Sequence, residues 1–103
     1  MFFVNDEIKQ QLEKIAIHYA EPRQIAKGIE ELNELSQVLA KYLANGGTYK
    51  DYKNKLVEEL ADVIIMLEQI VFLEGVNEKD ISEAITFKIN RQLERIKNDA
   101  SIL

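Results

Sequence analysis

A single proline and four glycines are all that interrupt this chain, and between them apolar residues recur with the period of a helix. No segment alternates apolar and polar residues over the length of a strand, so helices must organise the fold. Asn5 is a natural cap for a first helix through about Tyr19, with Asp6 and Glu7 in the first turn, where the helix dipole favours acids. Pro22 suits the first turn of a second helix, which should run to about Ala44 and stop at Asn45-Gly46-Gly47. Thr48 or Asp51 then opens a third helix ending near Glu74, with Gly75 as its stop. Asn77 caps a fourth, acidic early (Glu78, Asp80) and basic late (Arg95, Lys97). The prediction is one all-α domain over residues 1–103, a four-helix bundle with short links.

Composition narrows what such a bundle can do. A net charge of −5 argues against a general affinity for nucleic-acid backbone. The absence of cysteine excludes disulfides and thiol chemistry and fits a reducing compartment. "MFFVNDEIKQ" has neither a basic start nor a long apolar stretch, so no signal peptide is predicted. No apolar run approaches the roughly 20 residues that span a bilayer. A cytoplasmic protein without a membrane partner is expected.

The second helix carries its apolar stripe at Ile25, Ile29, Leu32, Leu39 and Leu43, the predicted core face. The third has a main stripe of Leu56, Leu60, Val63, Leu67 and Ile70, and a second strip at Ala61, Ile65 and Phe72. A helix apolar on two sides is either central or covered by another subunit. A homodimer or a dimer of dimers is predicted, with Ile65 and Phe72 near the contact.

Two near-identical phrases then stand out: "EELNEL" at 30–35 and "EELADV" at 58–63. In each, two carboxylates lie three residues apart, on one helical turn, where they repel. Asp62 is the odd member, a poor helix former ahead of an almost unbroken apolar run. One E-x-x-E on a helix is ordinarily a solvated charged face. Two such pairs on helices joined by the Gly46-Gly47 link can face one gap, where Glu31, Glu34, Glu59 and Asp62 would repel strongly without a cation. Oxygen-only ligands select a hard ion, Mg²⁺ or Mn²⁺.

With Glu31-x-x-Glu34, 24 intervening residues and Glu59-x-x-Asp62, the chain resembles the MazG-like all-α nucleoside triphosphate pyrophosphohydrolases. The likeness runs from about Gln24 to Ile96. "FKINRQLERI" at 87–96 looks like the family's Lys-x-x-Arg segment, with Lys88 and Arg91 matching, although Gln92 stands where many members have a second basic residue. The resemblance implies Mg²⁺-dependent cleavage of a nucleoside triphosphate between its α and β phosphorus atoms, giving the monophosphate and pyrophosphate. Glu31, Glu34, Glu59 and Asp62 would be the metal-binding and catalytic residues, and Lys88 and Arg91 would hold phosphates. Gln24 matches a glutamine frequent before the first motif, a base contact or a plain surface amide. Lys27, one turn before Glu31, is either a substrate contact or an ordinary i, i+4 partner.

The remaining polar residues carry less. His18, the only histidine, belongs to no E-x-x-H, so the usual di-iron carboxylate bundle is excluded. Tyr42, Tyr49 and Tyr52 around the central link are expected to pack rather than stack on bases. The alternatives of function are phosphoribosyl-ATP pyrophosphohydrolase and a non-catalytic helical dimer of scaffold or antitoxin type.

Overall fold

Asn5 opens the first helix as its sequence predicts, its Oδ1 accepting from the Ile8 N–H at 2.9 Å. A computed structural model describes residues 4–47 and 50–102, with side chains as far as Asp99. Among these are four helices and no strand: α1 (Asp6–Tyr19), α2 (Glu21–Ala44), α3 (Tyr52–Leu73) and α4 (Glu78–Ile102). Pro22 lies in the first turn of α2, where its missing N–H costs nothing. Gly46 and Gly47, at φ +65° and +83°, end that helix in the left-handed region that glycine enters freely. Asp51 opens α3 in a left-handed conformation, but its side chain makes no capping hydrogen bond. Thr48, the other residue expected there, lies outside the described residues, as does Tyr49. Asn77 caps α4 through its Oδ1, which accepts from the Lys79 N–H at 2.8 Å.

The helices α2 and α3 form the principal contact, antiparallel across the Gly46-Gly47 link, and α1 lies mainly against α3. α4 makes no extended contact with the other three. Its side chains from Ser82 to Asp99 are all exposed, including Phe87, Ile89, Leu93 and Ile96. The radius of gyration is accordingly 17.3 Å, where about 13 Å is usual for a compact domain of this length. The chain exposes 7995 Å², against about 5,900 Å² for a compact monomer of its mass.

The fully buried apolar residues are few: Leu12 and Ala16 from α1, Val63 and Met66 from α3. Beside them lie Gln24, Glu31, Glu68 and Gln69, so the interior of the protomer is unusually polar. This corrects the expected core of α2. Ile29, Leu32, Leu39 and Leu43 are 57%, 46%, 43% and 77% exposed. The row that meets α3 is instead Gln24, Gly28 and Glu31, roughly a quarter-turn round the helix from the apolar stripe. The reason is steric. Gly28 lets the helix backbones approach as a leucine row would not, since a β-carbon there would lie 2.8 Å from Ile70 Cδ1 and 3.8 Å from Met66 Cβ. The second strip of α3 is also open, with Ile65 39% and Phe72 38% exposed. No helix among the described residues is long and apolar enough to cross a membrane.

Candidate metal centre

The close approach at Gly28 sets the register of α2 against α3. Gln24 Nε2 donates to Gln69 Oε1 at 2.7 Å, a buried bond that ties the two helices together. Seven residues along each helix, Glu31 meets Asp62. Carboxylate oxygens of Glu31, Glu59 and Asp62 lie within 4.8 Å of one another, and those of Glu30, Glu31 and Glu34 form a second group on the same limit. Glu31 belongs to both. The structure therefore brings together all four carboxylates expected from the sequence and adds Glu30.

Burial is graded across the cluster. Glu31 is 6% exposed, Glu59 and Glu34 are half-buried, and Asp62 and Glu30 face water. Lys27 Nζ reaches Glu31 Oε1 at 3.2 Å and Glu30 Oε1 at 3.5 Å, so the i, i+4 partnership is realised. The hydrogen bond that it donates to Glu31 holds the Lys27 ammonium above its usual pKa. Glu31 Oε2 and Glu59 Oε2 are buried without a hydrogen-bond partner. Such oxygens are costly to leave unsatisfied.

The electrostatics follow from this crowding. The Glu34 carboxyl is pushed above its ordinary pKa, first by the charge of Glu31, then by partial loss of water and by Glu59. Asp62 is raised first by loss of water and then by Glu31, with Lys27 opposing. The contacts of Glu31 with Glu34 and Asp62 run from one carboxylate to another, and they become hydrogen bonds only if a proton sits between them. A proton or a cation must therefore quiet this cluster. The donor set is all oxygen, and two of those oxygens are buried without partners. These residues fit a hard divalent ion such as Mg²⁺.

The other expected site residues are placed as follows. Gln24 is buried against Gln69 rather than standing on the surface. Lys88 and Arg91 lie exposed on α4, with no ion pair to the carboxylates, and Arg91 sits 5.7 Å from the Phe87 ring centroid. The protomer alone does not bring them to the cluster. His18 packs edge-on to Tyr19, whose ring is covered by the Arg23 guanidinium at 4.4 Å. Tyr42 and Tyr52 pack on each other, centroids 4.2 Å apart, as expected of structural aromatics. Sequence reasoning missed Gln69. The signal was a glutamine inside an apolar helix, seven residues after Asp62, mirroring the step from Gln24 to Glu31.

Compared with known protein families, curated proteins and solved structures, the chain matches none of them.

Proposed function

We propose that this protein is a Mg²⁺-dependent nucleotide pyrophosphohydrolase of MazG-like type, converting a nucleoside triphosphate to its monophosphate and pyrophosphate in the cytoplasm, where it clears or balances nucleotide pools. The observation that carries the reading is Glu31, nine-tenths buried, with an unpartnered Oε2 among the carboxylates of Glu59 and Asp62. A solvated charged face would not bury an acid and leave half of it unsatisfied.

Glu31, Glu59 and Asp62 would hold the ion, with Glu34 beside Glu31. Mg²⁺ bound there supplies charge neutralisation to the phosphates and acidity to water. Lys27 orients Glu31 through their ion pair. Glu34, half-buried and next to water, is our choice of general base: it accepts the proton of the water that attacks the α phosphorus. The bond from that phosphorus to the bridging oxygen then breaks, and pyrophosphate leaves.

The working form is a homodimer or a dimer of dimers. Each protomer exposes roughly 2,000 Å² more than a compact chain of its mass would, an excess of the size that obligate dimers bury per partner. The unpaired stripes of α2 and α4 supply the apolar surface. Lys88 borders the α4 stripe of Ile89, Leu93 and Ile96, so its docking on a second copy would bring that cation to an acidic assembly.

The test is a panel of NTPs, dNTPs and phosphoribosyl-ATP, with products identified, in Mg²⁺, Mn²⁺ and chelator. Metal-dependent release of pyrophosphate from any of the triphosphates is expected. Release only from phosphoribosyl-ATP would move the assignment to histidine biosynthesis. No turnover across the panel would leave a non-catalytic helical dimer.

A further inference from the structure

The metal cluster lies in the middle of a groove whose two ends differ in chemistry. Along α2, residues Arg23, Lys27, Glu30, Glu34, Gln37 and Lys41 follow at three- and four-residue steps and so share one side of the helix. Along α3, Lys55, Glu59, Asp62, Met66 and Gln69 do the same. On one side of the carboxylates is a cleft of about 630 Å³ lined by Tyr19, Gln24, Lys27, Met66 and Gln69 among others. On the other is a cleft of about 420 Å³ lined by Glu34, Gln37, Val38, Lys41, Lys55 and Glu59. Both touch residues of the cluster, and both open along the same row of α2.

At the first end the cations are already engaged. Arg23 covers the Tyr19 ring, and Lys27 is bound to Glu31 and Glu30. Beyond those cations and the Glu30 carboxylate paired with Lys27, the lining is a buried amide pair, an aromatic ring and apolar side chains, groups that recognise a heterocycle by hydrogen bonding and packing. At the second end, Lys55 stands one helical turn before Glu59 and makes no ion pair among the described residues. Lys41 joins it from α2. Lys55 shares its cleft with Glu34 and Glu59 and is paired with neither, so it is placed for another anion. The spacing agrees. Gln24 and Glu31 are seven residues apart, about 10.5 Å along the axis, the span of a nucleoside from base edge to first phosphate.

Resting on the function proposed above, we infer that the substrate lies along this groove in one direction, its nucleoside on the Gln24–Gln69 side and its leaving β and γ phosphates on Lys55. Lys55 is thus a specificity residue for chain length: it distinguishes a triphosphate from the monophosphate product.

The test is calorimetric binding of three probes in Mg²⁺: an α,β-methylene nucleoside triphosphate, the matching monophosphate, and inorganic pyrophosphate. Lys55 is exposed, so Lys55→Met should fold normally. It should weaken the triphosphate analogue and pyrophosphate by about tenfold, the usual effect of losing one charge-assisted bond. Monophosphate and Mg²⁺ binding should be unchanged, and Lys55→Arg should restore much of the loss. Gln69→Leu should weaken both nucleotides and spare pyrophosphate. Wild-type protein that binds Mg²⁺ and the triphosphate analogue, with Lys55→Met indistinguishable from it or weakened equally for the monophosphate, overturns this inference alone. Wild-type protein that binds neither Mg²⁺ nor nucleotide overturns the function as well.

Discussion

Gly28 and Ile70 meet so closely that a β-carbon added to the glycine would lie 2.8 Å from Ile70 Cδ1. Gly28 faces Ile70 and Met66 where α2 packs on α3, one turn before the carboxylates. Gly28→Ala is expected to be tolerated. The clash is with the tip of a flexible side chain, and alanine gains about 1 kcal/mol in helix propensity. Gly28→Val adds branched bulk facing Met66 and Ile70 and should part the helices. Thermal melts within a few degrees of wild type for alanine, and Mg²⁺ affinity at least tenfold weaker for valine, are the expected readings. Unchanged Mg²⁺ affinity in Gly28→Val would show that helix separation does not govern the site.

Asp62→Asn keeps the side chain's size and removes its charge. Hydrolysis should fall roughly a hundredfold or more, the scale of losing one electrostatic group at a transition state. Far-ultraviolet circular dichroism should report an intact fold. Wild-type turnover in this variant would remove Asp62 from the site.

Stability should respond to Asp62 in opposite directions with and without metal. In chelator, Asp62→Ala relieves repulsion from Glu31 and gains about 0.5 kcal/mol or more of helix propensity, so it should melt at or above wild type. With Mg²⁺ at ten times its dissociation constant, linkage stabilises the wild type by about 1.4 kcal/mol, a shift of about 5–10 °C in a domain of this size. The variant should show little of that shift. Equal Mg²⁺ shifts in the two proteins would exclude Asp62 as a ligand.

Acid should stabilise the metal-free protein before it harms it. Glu34 and Asp62 have raised pKa values in the fold, so the folded state binds more protons than the unfolded chain. Stability therefore increases as pH falls through those raised values, and the gain is complete below the ordinary carboxylate values. The Lys9–Glu78 pair works the other way: Glu78 is held low by its hydrogen bond from Lys9, and its exposed contribution is lost as pH falls through that lowered value. The Asp62→Asn variant isolates the cluster. Its melting advantage over wild type in chelator should narrow as the pH falls through the raised Asp62 value. A constant gap would mean that the Asp62 carboxyl is not raised in the fold.

Light scattering at micromolar concentration should give a dimer or larger. Leu93→Glu on the α4 stripe, or Phe72→Glu on α3, should shift the mass toward the monomer and lower the melting temperature. A monomeric wild type would leave the exposed stripes without a partner.

The helix boundaries were legible because each has a local chemical cause: Asn5 and Asn77 as caps, Pro22 at a helix start, Gly46-Gly47 and Gly75 at helix ends. The carboxylate cluster was legible because its two halves repeat in the text and fall on one turn each. The buried face of α2 was not. Apolar periodicity points to Ile25, Ile29, Leu32, Leu39 and Leu43, yet α3 approaches along Gln24, Gly28 and Glu31. Which face of a helix meets its neighbour depends on how closely two backbones can approach, and one glycine decided it. Gln69 was hidden for a related reason: its partner lies 45 positions away in sequence.

The polar lining of the α2–α3 seam also bears on how this protein can change. Gln24, Glu31, Glu68 and Gln69 hold positions where leucine would ordinarily stabilise a helix pair. Laboratory selection for heat resistance alone would favour apolar replacements there. Survivors of such a selection should melt later and bind less Mg²⁺. Glutamate at position 31 would then persist only in lineages whose growth depends on what the seam holds.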